Sequence, residues 1–120
     1  MDRKDIAGYF QAWPISWGND YLPVSWDWTG TGLVFPDGTP IQAWISVPGK
    51  PDDHIYDWSS AAGNARIESN IWTLDGIDRA TAATLPKRKD YDMLVLVELD
   101  NLARTWLAGT IDILGKDLRV

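Results

Sequence analysis

The only histidine, His54, follows Pro51-Asp52-Asp53. An imidazole beside two carboxylates is half of a divalent-metal site. The site is not completed: the chain has one His and no Cys, so the remaining metal ligands have no obvious source. Pro and paired Asp are turn formers, and a solvated loop is the expected setting of His54. Asp27, Asp57, Asp75 and Asp78 could pair for acid–base work, but position along the chain sets no separation between them. Ser59-Ser60 lie near Gly63 without the Gly-x-Ser-x-Gly frame of a nucleophile elbow. The glycines are scattered and form no phosphate loop. These residues predict a protein that is not an enzyme and that carries no metal and no cofactor.

Binding chemistry is better represented. There are eight tryptophans, at 13, 17, 26, 28, 44, 58, 72 and 106. Each can bury roughly 150–250 Å², and each buried indole N–H needs an acceptor. About half are therefore expected at the surface or in an interface. The candidate contact residues are Tyr9, Phe10, Trp13, Trp17 and Tyr21, with Trp44 and Trp106 on strand faces opposite the aliphatic residues. Such rings suit two kinds of ligand: a neighbouring protein subunit, with Trp as anchor, or a glycan. Pyranose rings stack on flat apolar faces while nearby Asp and Asn accept hydroxyl hydrogen bonds.

At 120 residues the chain is long enough for one core and not for two. Net charge is −6, and fifteen of the seventeen acidic residues are Asp, a cap and turn residue that disfavours helix interiors. This acidity argues against nucleic acid, because phosphate contacts need clustered Lys and Arg. It leaves open a small acidic inhibitor or immunity protein steered onto a basic target. The basic run Lys87-Arg88-Lys89 reads as a solvated turn. Absence of Cys removes disulfides and thiolate chemistry. No segment has the roughly 20 apolar residues of a membrane span, and the N-terminus shows no apolar signal core.

The elements that must hold these residues are short strands. Residues 1–18 form an aromatic-rich N-terminal segment, broken by Pro14, that either folds over one end of the domain or reaches a neighbour. Residues 19–120 form the domain itself. Val24, Trp26 and Trp28 share one face of a strand, and Ile41, Ala43, Ile45 and Val47 share one face of the next. Pro36-Asp37-Gly38-Thr39-Pro40 is the turn between them. Pro48 to Asp53 ends the second strand, and Ile55–Trp58 is a short third. Two short strands surround Ile67 and Ile71–Leu74, and one short helical turn falls near 78–84. Met93–Leu99 is apolar enough for a central strand covered on both faces. Asp100-Asn101 tolerates the left-handed φ of a tight hairpin into Thr105–Leu114. There Thr105, Leu107, Gly109, Ile111 and Ile113 share one face, and Trp106 turns to the other. The pattern predicts an all-β fold, an immunoglobulin-like antiparallel β-sandwich. Tyr91, at the mouth of the penultimate strand, is placed for a tyrosine corner.

The order of these pieces resembles the β-sandwich domain at the N-terminus of phage upper-baseplate proteins, which also occurs alone as small virion proteins. The pieces that carry the resemblance are Asn19-Asp20, Ser25-Trp26-Asp27-Trp28, Asp37-Gly38-Thr39-Pro40-Ile41, Leu85-Pro86, Asp90-Tyr91-Asp92-Met93-Leu94, Glu98-Leu99-Asp100-Asn101 and Gly109-Thr110-Ile111-Asp112-Ile113. Asn19 stands where the family usually has Gly, and the 87–89 turn is basic where the family places a glycine. The first eighteen residues have no counterpart. The resemblance implies a structural protein of the phage tail or baseplate, an adaptor or fibre-attachment module made in the host cytoplasm and carried in the virion. Its partners would be other tail or baseplate subunits, in several copies of a symmetric assembly, with no nucleic acid and no membrane.

Overall fold

Apolar–polar alternation over residues 41–47 needs a partner layer on one face, and the apolar run from Met93 to Leu99 needs cover on both; together these requirements set the architecture. The structure, a computed structural model, describes residues 8–16 and 19–115. Its elements in chain order are β1 (Gly8–Gln11), β2 (Ile15–Ser16), β3 (Val24–Asp27), β4 (Ile41–Val47), β5 (Lys50–Ser59), β6 (Ala65–Glu68), β7 (Ile71–Leu74), α1 (Arg79–Thr84), β8 (Arg88–Leu99) and β9 (Leu102–Leu114). One sheet has the order β1-β9-β8-β4-β5, with β2 also on β9; the other is β3-β7-β6. The order β9-β8-β4-β5 opposite β3-β7-β6 is the strand order of an immunoglobulin-like sandwich, as the patterning predicts. It is antiparallel except at the N-terminal strands, where β1 and β2 run parallel to β9.

Between the sheets lies one apolar cluster that includes Ile41, Ala43, Ile45, Met93, Val95 and Val97 from the large sheet and Ile67, Trp72 and Leu74 from the small one. Aromatic rings fill one side of it. Trp72 packs on Trp26, Trp28 and Phe35 with ring centroids 6.3, 4.8 and 5.0 Å apart. Phe10 adds to Trp26 at 5.4 Å and Trp106 to Phe35 at 5.3 Å. Apart from the tilted Trp28–Trp72 pair these are edge-on contacts, which add to the burial of the rings. Trp58 satisfies its indole by donating to the Asp75 carbonyl at 2.9 Å. The indole N–H groups of Trp28, Trp72 and Trp106 are buried without a protein acceptor among the described residues.

Turn chemistry closes the strands. Asp100 and Asn101 have φ of 54° and 65°, and Ser69-Asn70 link β6 to β7 with φ of 52° and 61°. Both loops have two residues with positive φ, the geometry whose twist matches paired strands. Asp78 caps α1 by accepting from Thr81 N–H, and the helical turn covers 79–84, within the predicted span. Tyr91 is buried, and its hydroxyl donates to the Pro86 carbonyl at 2.9 Å, the hydrogen bond of a tyrosine corner.

Several expectations change. The strand predicted at 55–58 starts at Lys50, because Pro48-Gly49 makes a two-residue turn and Val47 pairs directly with Lys50. Since β5 is an edge strand, Pro51 and its charged neighbours cost it no inner ladder. His54 is thus on a strand and not in a loop. β8 is covered on both faces only in part: Met93, Val95 and Val97 are buried, while Leu94 and Leu96 are half-buried on the outer face. Trp106 does not turn outward as alternation predicts. A bulge between the Val95–Leu107 and Leu96–Thr105 pairs adds one residue to β9 and lets Trp106 reach Phe35. The described part of the aromatic-rich 1–18 segment supplies β1 and β2, which pair with β9 of the same chain. Gly109 permits this, since a Cβ there would lie 2.2 Å from the Phe10 carbonyl oxygen.

Candidate functional site

The polar residues that could have supported chemistry are occupied singly. His54 Nδ1 lies 2.5 Å from Asp57 Oδ1, three residues along the same edge strand, and not with Asp52 or Asp53. Its ring stacks on Trp44 with centroids 5.1 Å apart and planes at 11°. Asp27 accepts from both the N–H and the hydroxyl of Thr29, which holds its carboxyl below the usual carboxylate range. Asp75 takes two guanidinium hydrogen bonds from Arg66, at 2.7 and 2.6 Å. The Asp78 carboxyl is likewise lowered, by its hydrogen bonds from Thr81 at the helix start. Ser59 and Ser60 hydroxyls accept from the N–H groups of Ala62 and Ile41. Among the described residues no three His, Cys, Asp or Glu side chains are grouped to hold a metal ion.

The candidate contact aromatics separate by burial. Tyr21 is buried, and burial pushes its hydroxyl up to about 12. It is fixed there by its backbone, which exchanges hydrogen bonds with Ile77 at 2.7 and 3.0 Å. Gly76 makes room, because a Cβ would meet the Tyr21 carbonyl at 2.3 Å. Phe10 and Trp106 are half-buried against the core. Trp44 is half-buried on the outer face of the large sheet, paired across the strands with Asp57 and Leu94. Trp17 and the side chain of Tyr9 lie outside the described residues.

Trp13 alone among the described tryptophans is open to solvent, at 84 % of its surface. Pro14 and the β1–β2 break turn it away from β9, while Ile15 on the next residue but one anchors the segment in the core. Trp13 borders a cleft of about 420 Å³ with Pro14, Asn19, Asp20, Leu22 and Pro23. Leu22 is 77 % exposed. Asp20 is oriented by accepting from Arg79 N–H at 2.7 Å. The cleft therefore offers a flat aromatic face, two prolines and a Leu side chain beside a carboxylate and an amide. This combination can seat an apolar protein segment or a sugar ring.

Alternation along strands could not reveal Leu22, Leu33, Val34 and Leu102, which are exposed in loops or at a strand end. Their one signal is position: bulky apolar residues beside turn formers, with no periodic partner. No protein-family model, curated protein or solved structure matches the chain.

Proposed function

We propose that this chain is a structural binding module of a phage virion, an adaptor or fibre-attachment protein of the tail or baseplate that holds other virion subunits. The observation that carries the binding role is the Trp13–Leu22 surface. A Trp ring 84 % exposed beside a Leu 77 % exposed is stable in water only at a cost, and such rings dominate binding energy where they are covered. Placement in a phage tail is supported by the resemblance, whose pieces here have structural roles. Asp37 to Ile41 leads into β4, Leu85-Pro86 receives the Tyr91 hydroxyl, and Gly109 admits β1. Repetition of the module in a symmetric particle would multiply a modest contact.

The test is antibody labelling of purified particles in the electron microscope, with peptide identification of the chain. Label at the tail or baseplate supports the reading. Intact, accessible particles lacking both label and peptides overturn it. Trp13→Ala should leave the urea midpoint of the isolated chain unchanged and lower incorporation by on the order of tenfold. A second reading is favoured by Asn19 and Asp20 beside Trp13: a glycan in the same cleft. It predicts glycan-dependent quenching of tryptophan fluorescence that Trp13→Ala abolishes.

A further inference from the structure

The molecule is elongated, 44 × 28 × 25 Å, and among the described residues the exposed large apolar side chains fall at two ends. Trp13 and Leu22 flank β2, whose Ile15 pairs with Ile113 near the finish of β9. Leu102 opens β9, about 35 Å away by the rise of a strand. Leu33 and Val34 lie at this second end too. Asn70, in the β6–β7 turn, accepts from Phe35 N–H and donates to the Leu33 carbonyl, each at 2.7 Å. Asp37 accepts from Ser69 N–H at 2.8 Å. The Phe35 ring meets Trp106 of β9, and Glu98 N–H of β8 donates to the Pro40 carbonyl at 3.0 Å. The loop from 28 to 40 and the β8–β9 tip are thus joined at one end.

These ties matter energetically. Val34 is 71 % exposed and Leu102 70 %, yet the loop that carries Val34 is pinned on both flanks, by the Asn70 side chain at Leu33 and Phe35 and by its own Asp37 carboxylate on the Ser69 N–H. A loop already ordered pays little further entropy when a partner covers it. The rim is mainly acidic: Asp37, Glu68, Glu98 and Asp100 are exposed at this end, against Arg104, whose guanidinium lies over the Trp106 ring at 5.3 Å. Glu68 is placed there by its pairing with Ile71, at the start of β7.

We infer that this end is a second docking surface, and that it takes a protein surface with an apolar centre and a Lys/Arg rim. The apolar residues supply the area, and the carboxylates set orientation and on-rate and exclude acidic partners. A second copy of this chain is a poor occupant. The net charge is −6, and in a two-fold contact the carboxylate rim would face itself. This inference stands whether or not the module works in a virion. With the Trp13 end it makes the module a connector between two different neighbours.

The test is a nitrogen-15 NMR titration of the full chain with three synthetic 14-residue peptides. One is an amphipathic Leu/Lys helix, one is its Leu/Glu counterpart, and one is a Ser/Lys peptide without an apolar face. The Leu/Lys peptide should shift amides of residues 33–37 and 99–104, with affinity at least tenfold above either control. Raising salt from 50 to 500 mM should weaken it several-fold. Val34→Asp and Leu102→Asp, both at exposed positions, should keep the dispersed spectrum and lose on the order of tenfold in affinity. Equal binding of the Leu/Glu or Ser/Lys peptide, unchanged binding by the variants, or shifts confined to the Trp13 cleft would overturn the assignment. Concentration-dependent self-association through Val34 and Leu102 would overturn it too, in favour of a second copy.

Discussion

Tyr91→Phe removes one oxygen from the core side of the strand β8 and little else. The ring stays, buried against the sandwich, so no cavity term enters. What is lost is the 2.9 Å hydrogen bond to the Pro86 carbonyl. A neutral hydrogen bond contributes about 0.5–1.5 kcal/mol net, and a buried acceptor left unpaired costs more, about 1–3 kcal/mol. Pro86 is exposed, so its carbonyl can turn to water, and the lower range applies. With a urea m-value of about 1–3 kcal/mol/M, a loss of ~1 kcal/mol lowers the midpoint by roughly 0.3–1 M at constant m. Tyr21→Phe is the matched control. Tyr21 is also buried, but its hydroxyl has no protein partner among the described residues. Its removal is expected to change stability by no more than about 0.5 kcal/mol, in either direction. Paired urea melts followed by far-ultraviolet circular dichroism read both. Equal midpoints for Tyr91→Phe and wild type, or a larger loss in Tyr21→Phe, would refute the corner as a stabilising device.

Three further outcomes follow from the same contacts. Gly109→Ala places a Cβ 2.2 Å from the Phe10 carbonyl, a backbone atom that cannot swing aside, and should cost about 2–3 kcal/mol; limited proteolysis should then cut within residues 8–16, and resistance equal to wild type would count against it. The tyrosine hydroxyls predict alkaline weakening. Burial raises Tyr21 to about 12 and, as the largest cause, raises Tyr91 as well, so the unfolded chain ionises first, near pH 10. Stability is fully present below that pH and declines as pH rises towards 12; a flat urea midpoint from pH 9 to 12 would contradict this. At the acid end, Asp78 is lowered by capping Thr81, so its contribution is present above its ordinary value of 3.8 and is lost as pH falls below it. Asp78→Ala should therefore lower the melting temperature at pH 7 and leave it nearly unchanged at pH 2; equal losses at both pH values would assign the effect to something other than the charge.

Local chemistry made much of the fold legible in the sequence. Val24-Ser25-Trp26-Asp27-Trp28 and Ile41–Val47 alternate because one face of each strand is buried, and Asp100-Asn101 accepts a left-handed turn through its short polar side chains. Asp78 starts a helical turn for a reason visible three residues on, and Tyr91 follows a proline turn at the mouth of an apolar strand. Each of these depends on neighbours along the chain. What depends on neighbours across it was decided only by the tertiary structure. The single extra residue in β9 swings Trp106 from the outer face to the core, and alternation carries no mark of which residue a bulge will absorb. Residues 8–16 run parallel to β9 because Gly109 leaves space for the Phe10 backbone, a contact between positions 99 residues apart. The same distance rule separates Trp13 from Tyr21: both are aromatic residues near turns, but only Tyr21 meets Ile77 across a backbone bridge that draws it inward. Composition therefore tells how many aromatic rings must be placed, and of the described tryptophans all but Trp13 are at least half-buried. Which rings remain for a partner follows from pairing and packing between distant segments, which residue order constrains only through the completed fold.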